Sequence, residues 1–348
     1  MKIETFRGSP EQIGTTYGQR YRNHIKKNTK ALIDSIGQDQ RTSSNFQMWV
    51  CQLERKVKNC APDLLIEIEA VAKASGVSYE DILLLNLRGW QYSYYCGHEG
   101  ADTCSSMIIR LQDGADCNMG ALDDAKEFYD CPIRIIPDSG FSFITMPIIG
   151  MSGGNRGMNS AGLVCGISSQ ILPGLIKTDA FFQQDIAMRI ILQTCSTVEQ
   201  VRLFCESHPF TLNLAVSDAN GGRFCAQCTA AGIYELEHTE PHILTNHIIK
   251  DEWINELRDQ GVVRFPESET TRIRRGRLLS FFKKFNGCCS IGDIEEMLAS
   301  KDSTDKGAIN NIRSLFITIA CPERDSGGLY IMCPNQNRGF EYVSIEER

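Results

Sequence analysis

The hydrophobic periodicity of the chain changes abruptly at Cys104. Before this residue, apolar side chains recur at helical spacing, as they do over 10–36 and 63–74. After it, the apolar run 105–111 has the length and composition of a strand, and an Asp-Gly hairpin signal follows. A cysteine that opens a strand and precedes two serines suggests that the chain is cut here, which would make Cys104 a new N-terminus.

The remaining elements alternate in blocks of strands and helices, joined mostly by hairpins rather than by crossover helices. Strands are predicted at 118–122, 133–136, 141–146, 163–168, 212–217, 223–228, 232–236, 242–246, 314–321 and 328–333. Helices are predicted at 46–57, 82–87, 179–195, 197–207, 273–285 and 291–300, and a long polar surface loop at 250–271. This order favours antiparallel sheets layered with helices.

Charge and hydropathy exclude several classes of partner. The 36 basic and 43 acidic residues give a net charge of −7, which leaves no broad basic field for nucleic acid. No apolar run approaches the roughly 20 residues that cross a bilayer. Residues 1–7 lack the apolar core of a signal peptide. We therefore expect a cytoplasmic protein that binds neither nucleic acid nor membrane.

The chain contains 15 cysteines, and most of them are expected to be reduced, buried and inert. One group has zinc-ligand residue types, since Cys225 and Cys228 precede His238 and His242. The gap between the pairs is shorter than in a zinc finger, and Pro241 lies where a finger needs a helix. A plain hairpin is therefore favoured over a zinc site, and a zinc-dependent hydrolase stays an alternative.

Two polar groups are ambiguous when they are taken one at a time. Asp123 and Asp124 follow a strand, where an acidic pair most often forms a turn. His247 beside Asn246 invites a cysteine-histidine catalytic interpretation, although a lone histidine is more often structural.

The four arginines between residues 272 and 277 are most simply the solvated face of the following helix. They are Arg272, Arg274, Arg275 and Arg277. The glycine-rich segment 150–157 lacks the Lys-Ser/Thr ending of a phosphate-binding loop and is discounted as one.

The order of these features is more specific than any of them alone. The cysteine that opens a strand is followed by an aspartate one hairpin later, by Gly-Met-Asn-Ser-Ala-Gly at 157–162, by Thr-Asn-His at 245–247 and by Arg-Ser at 313–314 before the last hairpin. With these motifs the chain resembles the acyl-coenzyme A:6-aminopenicillanic acid acyltransferase family, which is isopenicillin N acyltransferase-like and corresponds to peptidase family C45. This family lies within the N-terminal nucleophile hydrolases. The resemblance extends from residues 8–14 to the final hairpin.

The resemblance implies an α+β fold, a four-layer αββα sandwich of two antiparallel sheets covered by helices. It also implies self-cleavage between Thr103 and Cys104, by attack of the thiol on the preceding carbonyl and hydrolysis of the resulting thioester. The products would be a helix-rich α segment, 1–103, and a β segment, 104–348, which together form one domain. Thr103 departs from the glycine that family members usually have there, and a β-branched residue resists the strained backbone that this attack requires.

The resemblance assigns roles position by position. Cys104 matches the nucleophile, whose freed α-amine serves as the general base. Asp123 would hold that amine by a hydrogen bond, although Ala-Leu precedes it here where the family has Asn-Trp, and Asp124 is the alternative. Asn246 matches the oxyanion-hole residue.

Three further residues are weaker candidates for the site. Arg313 would correspond to a basic group near the site, although its register is offset by a residue or two. Ser314 and His247 complete this set of candidates.

The resemblance implies a self-processing N-terminal cysteine amidohydrolase or acyltransferase that acts on a small-molecule acyl amide or acyl thioester through an acyl-enzyme on Cys104. The alternative is a processing-deficient relative that binds an acyl ligand or a partner without turnover. No metal or organic cofactor is expected, and coenzyme A is left open as a substrate. The two fragments of the chain would be each other's partners, and homo-oligomerisation is left open.

Overall fold

A computed structural model of the chain describes residues 3–89, 104–123, 128–170, 183–208, 212–229, 232–237, 241–249, 252, 255, 269–285, 289–299, 314–334 and 339–346. The elements before Cys104 are β1 Glu4–Gly8, α1 Pro10–Arg20, α2 Arg22–Ile36, α3 Gln38–Thr42, α4 Ser44–Cys60, α5 Pro62–Ser75 and α6 Tyr79–Asn86.

After Cys104 the chain alternates between the two element types. The strands are β2 Ser105–Arg110, β3 Asp116–Asp123, β4 Ile133–Pro137, β5 Phe143–Thr145, β6 Arg156–Asn159, β7 Val164–Ser168, β8 Leu212–Ser217, β9 Arg223–Thr229, β10 Gly232–Glu235, β11 His242–Leu244, β12 Ser314–Ala320, β13 Gly328–Met332 and β14 Glu341–Ser344. The helices are α7 Gln184–Thr194, α8 Val198–Ser207, α9 Glu269–Lys284 and α10 Ile291–Ala299.

The first predicted helix, 10–36, is wrong as a single element, because it divides at Tyr21. The start is well encoded: Ser9 and Gln12 form a capping box around Pro10. At Tyr21 the backbone leaves helical geometry, with φ −107° and ψ 17°, while its ring packs on Phe6. No glycine or proline marks this break, so the helical spacing of the apolar residues runs through it.

The strands form two sheets. The first has the order β1-β4-β5-β6-β7-β8-β9-β10, and the second has the order β11-β2-β3-β12-β13-β14. Every described pairing is antiparallel except that of β1 with β4. The predicted antiparallel sheets and the C-terminal hairpin of β12 with β13 are confirmed, whereas β1, β6 and β14 were not predicted.

Apolar side chains divide the protein into four layers. One core cluster lies between the first sheet and helices α1, α2, α4, α5, α6, α7 and α8. A second lies between the other sheet and helices α9 and α10. Two smaller clusters lie between the sheets, where Ile144 and Met158 meet Phe316, and Ile108 and Leu244 meet the first sheet. The predicted αββα sandwich is confirmed.

Strand β2 is buried on both faces by this arrangement. Its odd-numbered residues Met107 and Ile109 pack under α9 and α10, while Ile108 faces the first sheet. Alternate side chains of a strand point to opposite faces, which explains the unbroken apolar run that follows Cys104. Among the described helices, none has the length and apolarity that crossing a bilayer requires.

Helices α1 and α5 pack closely because α1 carries glycine where they meet. A Cβ added at Gly14 would overlap the carbonyl oxygen of Glu67 and lie 2.8 Å from the Cβ of Ala70. A Cβ added at Gly18 would lie 2.8 Å from the Cβ of Ala74. Contacts this short leave no room for a methyl group, so the two backbones approach each other only through these glycines.

We expect Gly14→Ala to destabilise the protein by about 1–3 kcal/mol, because the added methyl group overpacks the contact between α1 and α5. Urea unfolding followed by circular dichroism measures the change. The matched control is Gly276→Ala in α9, where an added Cβ meets nothing within 4 Å and alanine favours the helix. Equal midpoints for the two variants would contradict the close packing.

Candidate active site

Cys104 lies directly before β2, one strand from the edge of the second sheet. Its side chain is 2% exposed and belongs to the apolar cluster between the two sheets, with Met158 and Phe316. Cys104 and Ser106 are two residues apart on an extended chain, so both side chains face the first sheet. Ser105 faces the opposite way, toward the layer that contains α9.

The neighbouring strand β11 brings Asn246 to the same end of the sheet. In the antiparallel register of β11 with β2, Leu244 is opposite Ser106. Continuing this register by two residues places Asn246 opposite Cys104. Two residues that are more than 140 positions apart in the sequence are therefore brought side by side.

The strands on the other side bring two more candidates to this end. Ser105 is opposite Ala121 on β3, so the backbone of Asp123 lies just past the position opposite Cys104. Ser314, the first residue of β12, is opposite Asp123. The backbone positions of Asp123 and Ser314 therefore agree with a common site.

Three of the candidates from the sequence lie outside the described residues. They are Thr103, Asp124 and Arg313. Their assignments stay predictions.

Arg274 is buried, so its predicted place on a solvated helix face is wrong. Its side chain is 0% exposed, so it does not belong to a solvated helix face. Nη1 donates to the carbonyl oxygen of Cys104 and to Ser105 Oγ, both at 2.7 Å, and Nη2 donates to Asn246 Oδ1 at 2.8 Å. One guanidinium thus joins the cysteine to the asparagine beside it.

Helix periodicity explains why this arginine faces inward. Thr271, Arg274, Leu278 and Phe282 recur at spacings of three and four, and all are buried. They form the stripe of α9 that packs against the second sheet, whereas Arg272 and Arg277 on the outer face are exposed. The apolar members of this stripe are the sequence signal that could have identified Arg274.

Arg274 contributes a positive charge to this end of the sheet. A guanidinium taken out of water is costly unless it is hydrogen-bonded, and the acceptors of Arg274 include neutral oxygens of Cys104, Ser105 and Asn246. The positive charge therefore favours negative charge that develops nearby.

The amide of Asn246 is held from three sides. Its Oδ1 accepts from Arg274, its Nδ2 donates to the Ser169 carbonyl at 3.0 Å, and its backbone N–H donates to Thr271 Oγ1 at 2.8 Å. An amide NH₂ has two N–H donors, and the bond to Ser169 uses one of them. The orientation of Asn246 is thus set before any ligand binds.

Side chains of the first sheet hold the segment 245–247 by hydrogen bonds to its backbone. Asn213 on β8 donates to the Thr245 carbonyl, and Gln227 on β9 donates to the His247 carbonyl at 2.8 Å. Asn213 and Gln227 are opposite each other in the register of β8 with β9, and Gln227 also donates to Asn213 Oδ1 at 2.7 Å. The position of Asn246 therefore depends on both sheets.

His247 belongs to the support of this segment. Its Nδ1 lies 3.0 Å from Thr245 Oγ1 and 3.1 Å from Thr271 Oγ1, and the side chain is buried. These contacts fix the turn after β11 against α9 and agree with a structural histidine.

The described members of the cysteine and histidine pairs lie in different sheets. Cys225 and Cys228 are buried on β9 of the first sheet, whereas His242 lies on β11 of the second, and His238 is outside the described residues. Across the described ranges, no three His, Cys, Asp or Glu side chains are grouped as a metal site requires.

Burial raises the pKa of several other thiols of the chain. It raises the pKa of Cys165 well above its usual value, raises that of Cys225, and raises the pKa of Cys131 to about 12. A thiol reacts as its thiolate, so these three cysteines are expected to be inert at neutral pH.

Comparison with known proteins identifies the same family that the order of the sequence motifs resembles. Residues 102–275, half of the chain, match the family described as acyl-coenzyme A:6-aminopenicillanic acid acyl-transferase. No curated protein sequence matches the chain.

Several solved structures are similar to this one at low identity. A mutant of conjugated bile acid hydrolase from Clostridium perfringens has 13% identity and a TM-score of 0.49, covering 69% of this chain and 92% of that one. An N-acylethanolamine-hydrolyzing acid amidase orthologue from Caenorhabditis elegans has 14% identity and a TM-score of 0.46, covering 63% and 93%. Penicillin V acylase from Agrobacterium tumefaciens has 15% identity and a TM-score of 0.41, covering 69% and 86%.

We expect Arg274→Met to lower the free energy of unfolding by about 3 kcal/mol, because three buried oxygens lose their charged donor. Urea unfolding measures the loss. The control is Arg55→Met at an exposed arginine of α4, which should leave the unfolding midpoint unchanged. If both variants unfold at the wild-type midpoint, the buried hydrogen bonds of Arg274 do not hold this part of the protein together.

Proposed function

This chain belongs to the acyl-coenzyme A:6-aminopenicillanic acid acyl-transferase family, and we propose that it is a self-processing N-terminal cysteine amidohydrolase or acyltransferase. The observation that supports this most directly is the arginine that joins Cys104 to Asn246. It places the thiol residue beside a preoriented amide in a buried, positively charged environment. Nucleophilic attack on a carbonyl needs that combination.

The first proposed step releases the nucleophile. The thiol of Cys104 attacks the carbonyl carbon of Thr103, the C–N bond breaks, and the acyl group moves to sulfur. Water then hydrolyses this thioester, which leaves a carboxylate on Thr103 and a free α-amine on Cys104. The α-amine of the new terminus can accept the proton of the thiol beside it.

Turnover would repeat the same chemistry on a substrate. The sulfur of Cys104 adds to the carbonyl carbon of an acyl amide or acyl thioester while the α-amine takes the thiol proton. The second N–H of the Asn246 side chain is the proposed donor to the oxyanion. The amine or thiol leaves with the proton, and water or an acceptor amine resolves the acyl-enzyme and restores the thiol.

The charge of Arg274 favours both proposed roles of Cys104 after cleavage, in which the thiol is the nucleophile and the α-amine is the general base. A nearby cation disfavours a second positive charge, which favours the unprotonated amine that acts as base. The same cation favours the negative charge that forms on sulfur and on the carbonyl oxygen. In this proposal Asp123 holds the amine, and its backbone position beside the site is compatible with that role.

The two fragments are proposed to stay together after cleavage. Side chains of the N-terminal helices, such as Leu32 and Ile68, belong to the same buried cluster as Phe143 and Ile191 of the later segment. Separating the fragments would expose this cluster to water, which is strongly unfavourable.

The chemistry needs a thiol, an amine and amide donors, so the proposal includes no metal or organic cofactor. Coenzyme A enters only as the carrier of an acyl group in the transferase version. A cytoplasmic location remains part of the proposal, since a thiol nucleophile among 15 cysteines suits a reducing compartment.

Self-cleavage is tested by mass spectrometry of the denatured protein. We expect the wild type to give two fragments, residues 1–103 and 104–348, and Cys104→Ala to stay intact because it lacks the attacking thiol. Cys51→Ala, at an exposed cysteine of α4, is the matched control and should cleave like the wild type. A wild-type chain that stays intact on long incubation would favour the binder without turnover.

Turnover is tested with N-acyl-7-aminomethylcoumarins of increasing acyl length, on protein that mass spectrometry shows to be cleaved. We expect Asn246→Ala to lower kcat by about 10²–10³-fold, because the oxyanion loses a donor, and to change KM much less. Asn220→Ala, at an exposed asparagine between β8 and β9, is the control and should keep wild-type kcat. A kcat for Asn246→Ala within threefold of wild type would remove the oxyanion role.

A further inference from the structure

A second buried arginine, Arg156, contacts β2 from the side of the first sheet, opposite to Arg274. Arg156 begins β6 in the first sheet and is 2% exposed. Its Nη2 crosses to the second sheet, where it donates to the Ser105 carbonyl and to Ser106 Oγ, both at 2.5 Å. A carbonyl oxygen has two lone pairs, so Ser105 can accept this bond beside one from the strand ladder.

Two glycines make the space that this guanidinium fills. Gly166 on β7 is opposite Arg156 in the strand register, and an added Cβ there would overlap Arg156 Nη1. Gly120 on β3 is opposite Ser106, and an added Cβ there would overlap Nη2. A side chain at either position would displace the arginine, so the two sheets are shaped around it.

The two arginines hold consecutive residues from opposite faces of β2. Arg274 binds the Cys104 carbonyl and the Ser105 hydroxyl from the side of α9. Arg156 binds the Ser105 carbonyl and the Ser106 hydroxyl from the first sheet. The side chain of Cys104 points to the face on which Arg156 lies, two residues from Ser106 along the strand.

The buried cation of Arg156 is costly if its role is only to fill space between the two sheets. The surrounding cluster between the sheets is apolar, and filling it with Leu or Met would avoid the cost of burying a cation. Cys104 carries an ionisable thiol on the face of β2 that Arg156 reaches, and a cation on that face favours the thiolate.

We propose that Arg156 is a positioning residue for Cys104, which fixes the start of β2 and stabilises the thiolate of the nucleophile. This inference rests on the proposed role of Cys104. The two hydrogen bonds to β2 come from one nitrogen, Nη2, so the proposed role needs a positive charge at that point.

The test measures the rate at which iodoacetamide alkylates Cys104, followed by peptide mass spectrometry, with the exposed Cys51 as internal reference. Iodoacetamide reacts with the thiolate. We expect Arg156→Gln to lower the Cys104 rate at least tenfold and Arg156→Lys to keep it within about threefold of wild type.

Gly166→Ala tests whether the position of the Arg156 guanidinium matters, since it leaves the charge in the protein. The three atoms nearest to the new methyl group all belong to the Arg156 guanidinium, so this variant displaces the cation without removing it. We expect a loss of the same size as for Arg156→Gln. The double variant should be no slower than Arg156→Gln alone, because both changes act through one group.

Arg134→Gln is the matched control. Arg134 is also buried in the first sheet, and it also crosses to the second, donating to the Ser344 carbonyl at 2.7 Å as well as to Thr5 Oγ1 in its own sheet. Its replacement should lower the melting temperature and leave the Cys104 rate unchanged. An equal loss of rate in this control would mean that Arg156 acts only through stability.

Two results would overturn the inference in different ways. If wild-type Cys104 fails to react while Cys51 does, the nucleophile assignment fails and the role of Arg156 fails with it. If wild-type Cys104 reacts and both Arg156→Gln and Gly166→Ala stay within twofold of wild type, only the role of Arg156 is wrong.

Discussion

A single buried guanidinium holds the candidate site together. Arg274 donates at once to the backbone of Cys104 and to the side chain of Asn246, which arrive from different strands. Burying a cation is tolerable only when its hydrogen bonds are well made. Helix α9, the turn after β11 and the start of β2 must therefore all be in place before the arginine is satisfied.

The four-layer sandwich is what makes such a site stable. Strand β2 is covered by helices on one face and by the first sheet on the other, so Cys104 is buried between the two sheets. The first sheet also supports the segment 245–247 through Asn213 and Gln227. The αββα layering and the positioning of the site are thus parts of one packing arrangement.

Sequence reasoning predicted sheets layered with helices, because the hairpin order of the strands is a strong local signal. The change of periodicity pointed to Cys104, whose role as nucleophile stays a prediction from the family resemblance. It missed short strands such as β1 and β6, whose few residues gain their conformation from pairing rather than from their own pattern. It also placed Arg274 on the surface, because a run of arginines is usually solvated. Arg156 was missed for a deeper reason, since the room left by Gly120 and Gly166 exists only in the folded register.

The central claim is that catalysis passes through an acyl-enzyme on Cys104. The direct measurement is rapid quenching of the protein during turnover of an N-acyl-7-aminomethylcoumarin, followed by peptide mass spectrometry. We expect a peptide that begins with Cys104 and carries the mass of the acyl group, which hydroxylamine removes as expected for a thioester. Product release with no acyl adduct on Cys104, or with the adduct on another residue, would contradict it.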